Sequence, residues 1–354
     1  MTGSPRPSAR EVRALRPAKA VVEAFRPFGW VLEEERTAAG AREPAVTVFL
    51  AGSECPFSCV YCDLWRYTLD GATPPGALPA QLAQALARVA RDLPPEAWPR
   101  ARLKLYNASN FFEERAVPRA DEEALIRLAR PFRRLVVECH PRLVGERCLD
   151  FAGRLAAAGS RLEVAMGLET VHPEALPRLG KGMTLEDFDG AARRLKGAGI
   201  PFRAFLLLGA PYVPPEEAVE WTVRSAQHAF GQGAEGVSVI PLRDGNGTIE
   251  ALVEAGEATL PDLDQLEDAL DRCSHLGAGV AVADLWDLER ISPCEDCRSQ
   301  RRERLRRQNL SGLVEPRVRC GACAPRREIL GRGAPPGAAA GSGPGDPRRG
   351  EIEP

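Results

Sequence analysis

Six short, almost wholly apolar runs recur along the chain, at 45–51 (AVTVFLA), 102–106 (RLKLY), 134–139 (RLVVEC), 162–168 (LEVAMGL), 202–208 (FRAFLLL) and 236–241 (GVSVIP). Between them lie stretches with apolar residues at three- and four-residue spacing, at 79–92, 121–132, 146–158, 185–198 and 215–230. A strand that is apolar on both faces needs cover on both sides, so this alternation predicts parallel strands flanked by helices. Helix ends are marked locally. Thr184 with Asp187 three residues on reads as a capping box, Pro214–Pro215 followed by Glu216–Glu217 suits a first turn, and Gly197 and Gly199 suit a stop. Six such units fit an incomplete barrel as well as an open sheet. A further apolar segment at 279–285 is a candidate seventh strand or packing for the barrel end.

Around this core the sequence divides into an N-terminal arm (1–40), the strand–helix core (41–250), a C-terminal extension (251–330) and a tail (331–354) of disordered composition. The arm is expected to be irregular over 1–27, with one short helix. Positive and negative side chains nearly cancel, 47 against 49, which excludes a protein-wide electrostatic footprint for nucleic acid. No apolar run approaches the roughly 18 residues of a membrane span, and no apolar stretch follows the N-terminal arginines as a secretory signal would require. A cytoplasmic protein with no membrane association is the expectation.

Ten cysteines need explaining, and seven fall into short-spaced groups: Cys55/Cys59/Cys62, Cys294/Cys297 and Cys320/Cys323. In a reducing compartment such spacing indicates metal or cluster ligation rather than disulfides. The isolated Cys139, Cys148 and Cys273 read as buried apolar thiols. The first group, C-x3-C-x2-C, directly follows the first strand and puts three thiolates on one tight loop. Three cysteines can hold three irons of a cubane and leave the fourth without a protein thiolate, whereas an electron-transfer cluster normally takes four. An open metal position is what catalysis needs. A three-cysteine zinc or redox loop is the alternative.

Gly52 to Asp63, with Tyr61 as the aromatic residue, resembles the radical S-adenosylmethionine (SAM) signature C-x3-C-x-aromatic-C. The resemblance implies a partial (β/α)6 barrel, an α/β fold with a small Cys-rich C-terminal extension. It also implies a [4Fe–4S] cluster on Cys55, Cys59 and Cys62, SAM chelated at the open iron, and a reducing partner of flavodoxin or ferredoxin type. Active sites of such barrels gather at the C-terminal ends of the strands. There the second strand is followed by Asn107, Ser109 and Asn110, where relatives often carry a Gly-Gly-Glu-like turn for the SAM amine; this chain departs from that motif but still offers oxygen acceptors. The fourth strand ends in Met166-Gly167-Leu168-Glu169-Thr170, similar to a G-x-E-[ST] element, which makes Glu169 a candidate for the ribose hydroxyls.

Other strand ends add candidates from chemistry alone. Glu138 and His140, ending the third strand, are placed to act as acid, base or substrate contact, unless they only shape a loop fixed by Pro141. Arg203 lies within an apolar strand, where an unpaired charge is costly, so it needs an acidic partner or a ligand. Arg243 and Asn246 follow the sixth strand in a Gly-rich turn and are candidate SAM or substrate contacts. His172 and the segment 178–182 read as a loop with surface charges.

The C-terminal pairs Cys294/Cys297 and Cys320/Cys323 match a closed four-cysteine zinc site, with an auxiliary iron–sulfur cluster as the alternative. Between them, 298–307 carries six Arg against one Glu and reads as a basic helix, either a solvated face or a grip on RNA phosphates.

The stretch 28–323 resembles the branch of the superfamily that shares its core with the elongator catalytic subunit and tRNA methylthiotransferases. Within that branch it is similar to the radical SAM enzymes of archaeosine synthesis and their uncharacterised bacterial relatives. The residues that carry the likeness are 54–65 (ECPFSCVYCDLW), 104–112 (KLYNASNFF), 137–141 (VECHP), 163–174 (EVAMGLETVHPE) and 283–290 (ADLWDLER). Kinship implies a modified nucleoside in tRNA as substrate. Two other readings stay open: a two-cluster radical SAM enzyme acting on a small molecule or peptide, and a metal-dependent RNA-binding protein without this activity.

Overall fold

The six apolar runs become six adjacent parallel strands, and the segment near 280 adds a seventh. The computed structural model describes residues 6–323; the tail expected at 331–354 lies outside the described residues. The strands are β1 (Gly29–Arg36), β2 (Arg42–Phe49), β3 (Arg102–Tyr106), β4 (Arg134–Glu138), β5 (Arg161–Glu169), β6 (Phe202–Leu208), β7 (Gly236–Pro241) and β8 (Val280–Ala283). They form one sheet in sequence order, with β1 antiparallel to β2 and every later neighbour parallel.

The helices are α1 (Ala9–Ala14), α2 (Ala77–Val89), α3 (Glu122–Ala129), α4 (Glu146–Ala157), α5 (Ala175–Arg178), α6 (Leu185–Gly197), α7 (Ala218–Gly231), α8 (Thr248–Glu254), α9 (Leu263–His275) and α10 (Glu295–Ser311). The Thr184–Asp187 capping box forms at the start of α6, the Asp187 amide donating to Thr184 Oγ1 at 3.3 Å and the Thr184 amide to Asp187 Oδ2 at 2.9 Å. No described helix is long and apolar enough to cross a membrane.

Alternate strand residues point outward. Val46, Val48, Leu103, Leu105, Leu135, Val137, Val164, Met166, Ala204 and Leu206 pack beneath Leu82, Leu86, Leu125, Phe151, Leu155, Phe188 and Leu195 of the helices. The other face curls around an interior that is polar at both ends and aromatic between them. α10 packs against both edge strands and so spans the seam between β1 and β8. Asn309 fixes that closure, its carboxamide bonding the N–H of Ala283 at 2.9 Å and its C=O at 2.8 Å.

Two expectations change here. The segment 1–40 is not wholly an arm, because β1 joins the sheet through it, and the sheet runs past both expected core limits to Ala283. Glu33 and Glu35 of β1 face inward, where they neutralise cations of the barrel floor, so β1 lacks the apolar pattern of its neighbours. The basic helix is not a uniformly solvated face either. Arg301 and Arg304 are buried, with Arg301 on Asp264 and Glu267 and Arg304 on Asp271 at 2.9 Å. These two arginines dock α10 onto α9. Cys139, Cys148 and Cys273 are buried as expected.

Candidate functional site

Gly52 to Asp63 leaves β2 and crosses the C-terminal mouth of the barrel, held by bonds from four directions. The Ser53 amide donates to Thr73 Oγ1 at 2.8 Å, and the Val60 amide to the Leu179 carbonyl at 2.9 Å. Asn246 Nδ2 donates to the Val60 carbonyl at 2.9 Å, and Trp65 Nε1 to the Cys62 carbonyl at 3.1 Å. Gly180 passes so close that a Cβ there would sit 2.7 Å from the Ser58 carbonyl, and its φ of +76° favours glycine. The loop is thus a shaped platform, and Cys55, Cys59 and Cys62 all line the cavity beneath it.

Burial pushes the three thiols up: Cys55 above its ordinary value, Cys59 to about 11 and Cys62 well above. Cys55 also raises Cys59, and both raise Cys62, as like charges, while the Lys181 ammonium opposes the effect at Cys55 and Cys59. Three half-buried thiols that resist ionisation alone, gathered on one loop at a cavity, suit a polycationic metal group that takes them as thiolates.

Around the platform the structure gathers most of the expected residues, and most of them are given protein partners. Burial pushes the Glu138 carboxyl up to about 7, although the backbone amides of Asn107, Ala108 and Ser109 bond it and pull the other way. The Asn107 amide lies 2.9 Å from Glu138 Oε1, and Ala108 adopts a φ of +54° within that turn. The turn leaves the Asn107 side chain fully buried with neither amide atom partnered among the described residues, and Ser109 Oγ is likewise unpartnered. A buried polar group without a partner marks a place for a ligand or water.

Asn110 is used at both ends, with Oδ1 accepting from the His140 amide at 2.7 Å and Nδ2 donating to Cys55 Sγ at 3.3 Å. His140 is committed as well. Its Nδ1 accepts from the Arg142 amide, its Nε2 meets the Lys181 carbonyl at 2.9 Å, and its ring stacks on Phe57 at 4.1 Å. Burial and then Lys181 hold its pKa down at about 4, so the ring stays neutral and ties the loop in place. Glu169 adopts a φ of +67°, pairs with Lys181 Nζ at 2.8 Å and is bonded by Tyr61. A Cβ on Gly167 would lie 2.1 Å from Glu169 Oε1, so the pair needs glycine there. Arg243 bonds Asp284 Oδ2 at 3.0 Å and the Trp286 carbonyl at 2.7 Å at the cavity wall.

Arg203 sits elsewhere. At the opposite end of the barrel it bonds Glu163 Oε1 at 2.5 Å and lies 3.5 Å from Glu35 Oε2, so the acidic partner demanded by its burial is present, and the mouth is several residues up the strand. Asn246 braces the cysteine loop and caps Ile249, which uses both ends of its amide. Lys181, read as a surface charge in sequence, is buried and ion-paired beside the cysteines. His172 caps α5 through Nδ1.

The cavity measures about 3600 Å³, several times a ligand pocket of roughly 300–1,000 Å³. Phe49, Tyr106, Phe205 and Trp286 form an aromatic collar midway, with ring centroids 6.1 to 6.4 Å apart. At its rim the Sγ atoms of Cys294, Cys297, Cys320 and Cys323 lie within 4.8 Å of one another. The Cys294–Cys320 and Cys297–Cys323 separations are 3.8 and 3.6 Å. A tetrahedral ion with metal–sulfur bonds of about 2.3 Å sets its sulfurs about 3.8 Å apart. The residues therefore fit one tetrahedral metal.

Residues 50–222 match the model of the radical SAM superfamily. The chain is similar to archaeosine synthase subunit beta of Methanosarcina acetivorans, 28% identical over 232 residues that cover 63% of this chain and 64% of that protein. It is also similar to an uncharacterised protein of Methanocaldococcus jannaschii, 21% identical over 42% of this chain and 41% of that protein. The chain thus spans less than two thirds of the length of either relative. Among solved structures, methylornithine synthase superposes with a TM-score of 0.48 at 16% identity, over 91% of this chain and 86% of the other.

Proposed function

The chain belongs to the radical SAM superfamily through residues 50–222, and from that premise we propose that it modifies a nucleoside in tRNA, with Cys55, Cys59 and Cys62 as the ligands of a [4Fe–4S] cluster. The observation that carries the reading is the shaped cysteine platform with open polar groups beside it, in a cavity large enough for SAM and a bulky second molecule. When bound, such a cluster supplies the electron for reductive cleavage of SAM.

The chain's own residues then hold and orient. Ser109 Oγ, unpartnered among the described residues at the cavity wall, is the acceptor we offer to the SAM ammonium; Asn107, fully buried, does not line the cavity, and Glu138 fixes the turn that carries both. Glu169, clamped between Lys181 and Tyr61, offers its second carboxylate oxygen to hydroxyl groups. The cysteine platform covers the mouth and the ion-paired floor closes the far end, which limits water around a reactive species. The aromatic collar suits a flat heterocycle. The similarity to archaeosine synthase subunit beta supports tRNA as its source, and a flavodoxin- or ferredoxin-type protein is the electron donor in this reading.

The four C-terminal cysteines are assigned to zinc, on the sulfur spacing, because a cubane spreads its ligands wider. That spacing weighs against a two-cluster enzyme. Burial of Arg301 and Arg304 weighs against α10 as a dedicated RNA grip. The test is anaerobic reconstitution followed by reduction with dithionite and SAM, with and without unfractionated tRNA. Formation of 5′-deoxyadenosine that rises with tRNA and vanishes in Cys55→Ala supports the reading. A fully loaded protein that makes none under either condition refutes it, and zinc alone at both sites favours the RNA-binding alternative.

A further inference from the structure

We infer that Asn110 is a positioning residue that raises the reduction potential of the cluster by donating its side-chain N–H to the Cys55 sulfur. The inference rests on the reading of Cys55 as a cluster ligand. Its basis is the two-ended use of one carboxamide. A backbone N–H can be met only by an acceptor, so the end of Asn110 that faces the His140 amide at 2.7 Å is its oxygen. The NH2 end is then the one that faces Cys55 Sγ at 3.3 Å.

The donor is held from outside the cysteine loop. The Phe111 amide bonds the Glu138 carbonyl at 3.0 Å, and the Glu113 amide bonds the Asn110 carbonyl at 3.1 Å, so the residue is fixed to the ends of β3 and β4. At 5% exposure Asn110 has little access to water that would replace the bond. Hydrogen bonds to ligand sulfurs are among the factors that set an iron–sulfur potential. A sulfur bound to iron carries more negative charge after reduction, so a fixed N–H stabilises the reduced state more than the oxidised one. The residue offered by sequence as a contact for SAM thus serves the cluster, while Ser109 stays open.

The experiment is a reductive titration followed by electron paramagnetic resonance on reconstituted wild-type, Asn110→Ala and Asn110→Asp proteins, with iron counted in each. The expected result is a midpoint shifted to more negative values in both variants, further in Asn110→Asp because it adds charge, at unchanged iron per chain. A purely structural role would lower iron content without moving the midpoint of the cluster that remains, and that outcome overturns the inference. Should the variants fail to load, the wild-type protein decides, labelled with ¹⁵N in asparagine side chains. Pulsed resonance of its reduced cluster is expected to show a weak ¹⁵N coupling, and absence of that coupling overturns the inference. Its failure differs from failure of the proposed function, because the latter is the absence of SAM cleavage by a loaded wild-type protein.

Discussion

The two ends of the barrel interior are both polar, yet they are built in opposite ways. At the floor, Glu163 meets Arg203 at 2.5 Å and Arg134 at 2.8 Å, and Glu35 meets Arg102 at 3.0 Å. Lys104 reaches Glu33 at 2.9 Å and also pairs with Glu35. Burial alone would raise the Glu163 carboxyl, but Arg203, Arg102 and Arg134 outweigh it and hold it at about 2. At the mouth, the side chains of Asn107 and Ser109 are buried or nearly so with no partner among the described residues, and Glu138 is left with a raised pKa. Polar groups that satisfy one another hold shape, whereas those left open wait for a ligand.

The sharpest way to break this comparison is to strike both ends. Cys59→Ala should abolish cluster loading and reduce 5′-deoxyadenosine to background while the circular dichroism of the fold persists. Residual turnover at full rate would move the chemistry away from the mouth. Glu163→Ala should do the reverse. It takes one carboxylate from Arg203, Arg134 and Arg102, each of which keeps another in Glu35, Glu235 or Glu43, so the loss should fall at the lower end of the about 3–5 kcal/mol that breaking a buried pair costs. Urea unfolding should show that loss while SAM cleavage per folded molecule holds. A change near zero would mean that water already screens the floor.

A third prediction uses pH. With its carboxyl at about 7, Glu138 keeps its proton in the folded protein while an ordinary glutamate near 4.3 in the unfolded chain has lost it. The folded state then binds the extra proton, so this group's contribution is fully present below about 4.3 and is lost as pH rises through 7. The slope is about 1.4 kcal/mol per pH unit within that window. His140 acts in the opposite sense between about 4 and 6.5, because its folded pKa is lowered and stability falls as pH falls. Subtracting the Glu138→Gln profile from the wild-type profile, both free of cluster and SAM, isolates the first term. Profiles that run parallel from pH 5 to 7 would show that Glu138 is ionised in the fold.

The mouth was more legible than the floor for a physical reason. Cysteine spacing, strand periodicity and the Thr184 capping box are local in sequence, so the cluster loop, the parallel strands and the helix starts are readable without contacts. The floor depends on pairs far apart in the chain: Arg203 with Glu163 is separated by 40 residues and Arg102 with Glu35 by 67. From sequence, Arg203 shows only that it needs a carboxylate or a ligand. β1 is hidden for the same reason, since Glu33 and Glu35 break the apolar alternation that announces a buried strand. Lys181 is misread because a Gly-Lys-Gly turn resembles a solvent loop, and only Glu169 at 2.8 Å reveals that it turns inward. Asn110 and Asn246 carry the right chemistry for a ligand, but the fold spends both ends of each amide on protein atoms.

The smallest predicted effect tests whether the seam belongs with the floor, as shape, or with the mouth, as access. Asn309 supplies the edge of β8 with the two bonds that a ninth strand would otherwise make, one from the Ala283 amide and one to its carbonyl. An unpaired strand edge exposes such groups to solvent or to another chain. Asn309→Ala removes both bonds, each worth about 0.5–1.5 kcal/mol net, so a loss of about 1–3 kcal/mol is expected, below that of Glu163→Ala. Hydrogen exchange at the Ala283 amide should accelerate by more than at Val239 on the neighbouring strand. Equal acceleration at both would mean that α10 supports the sheet globally. Acceleration confined to Ala283, with SAM cleavage unchanged, would place the seam with the floor as a structural closure. A change in tRNA-dependent turnover at unchanged basal cleavage would place it with the mouth, as a wall of the substrate's path.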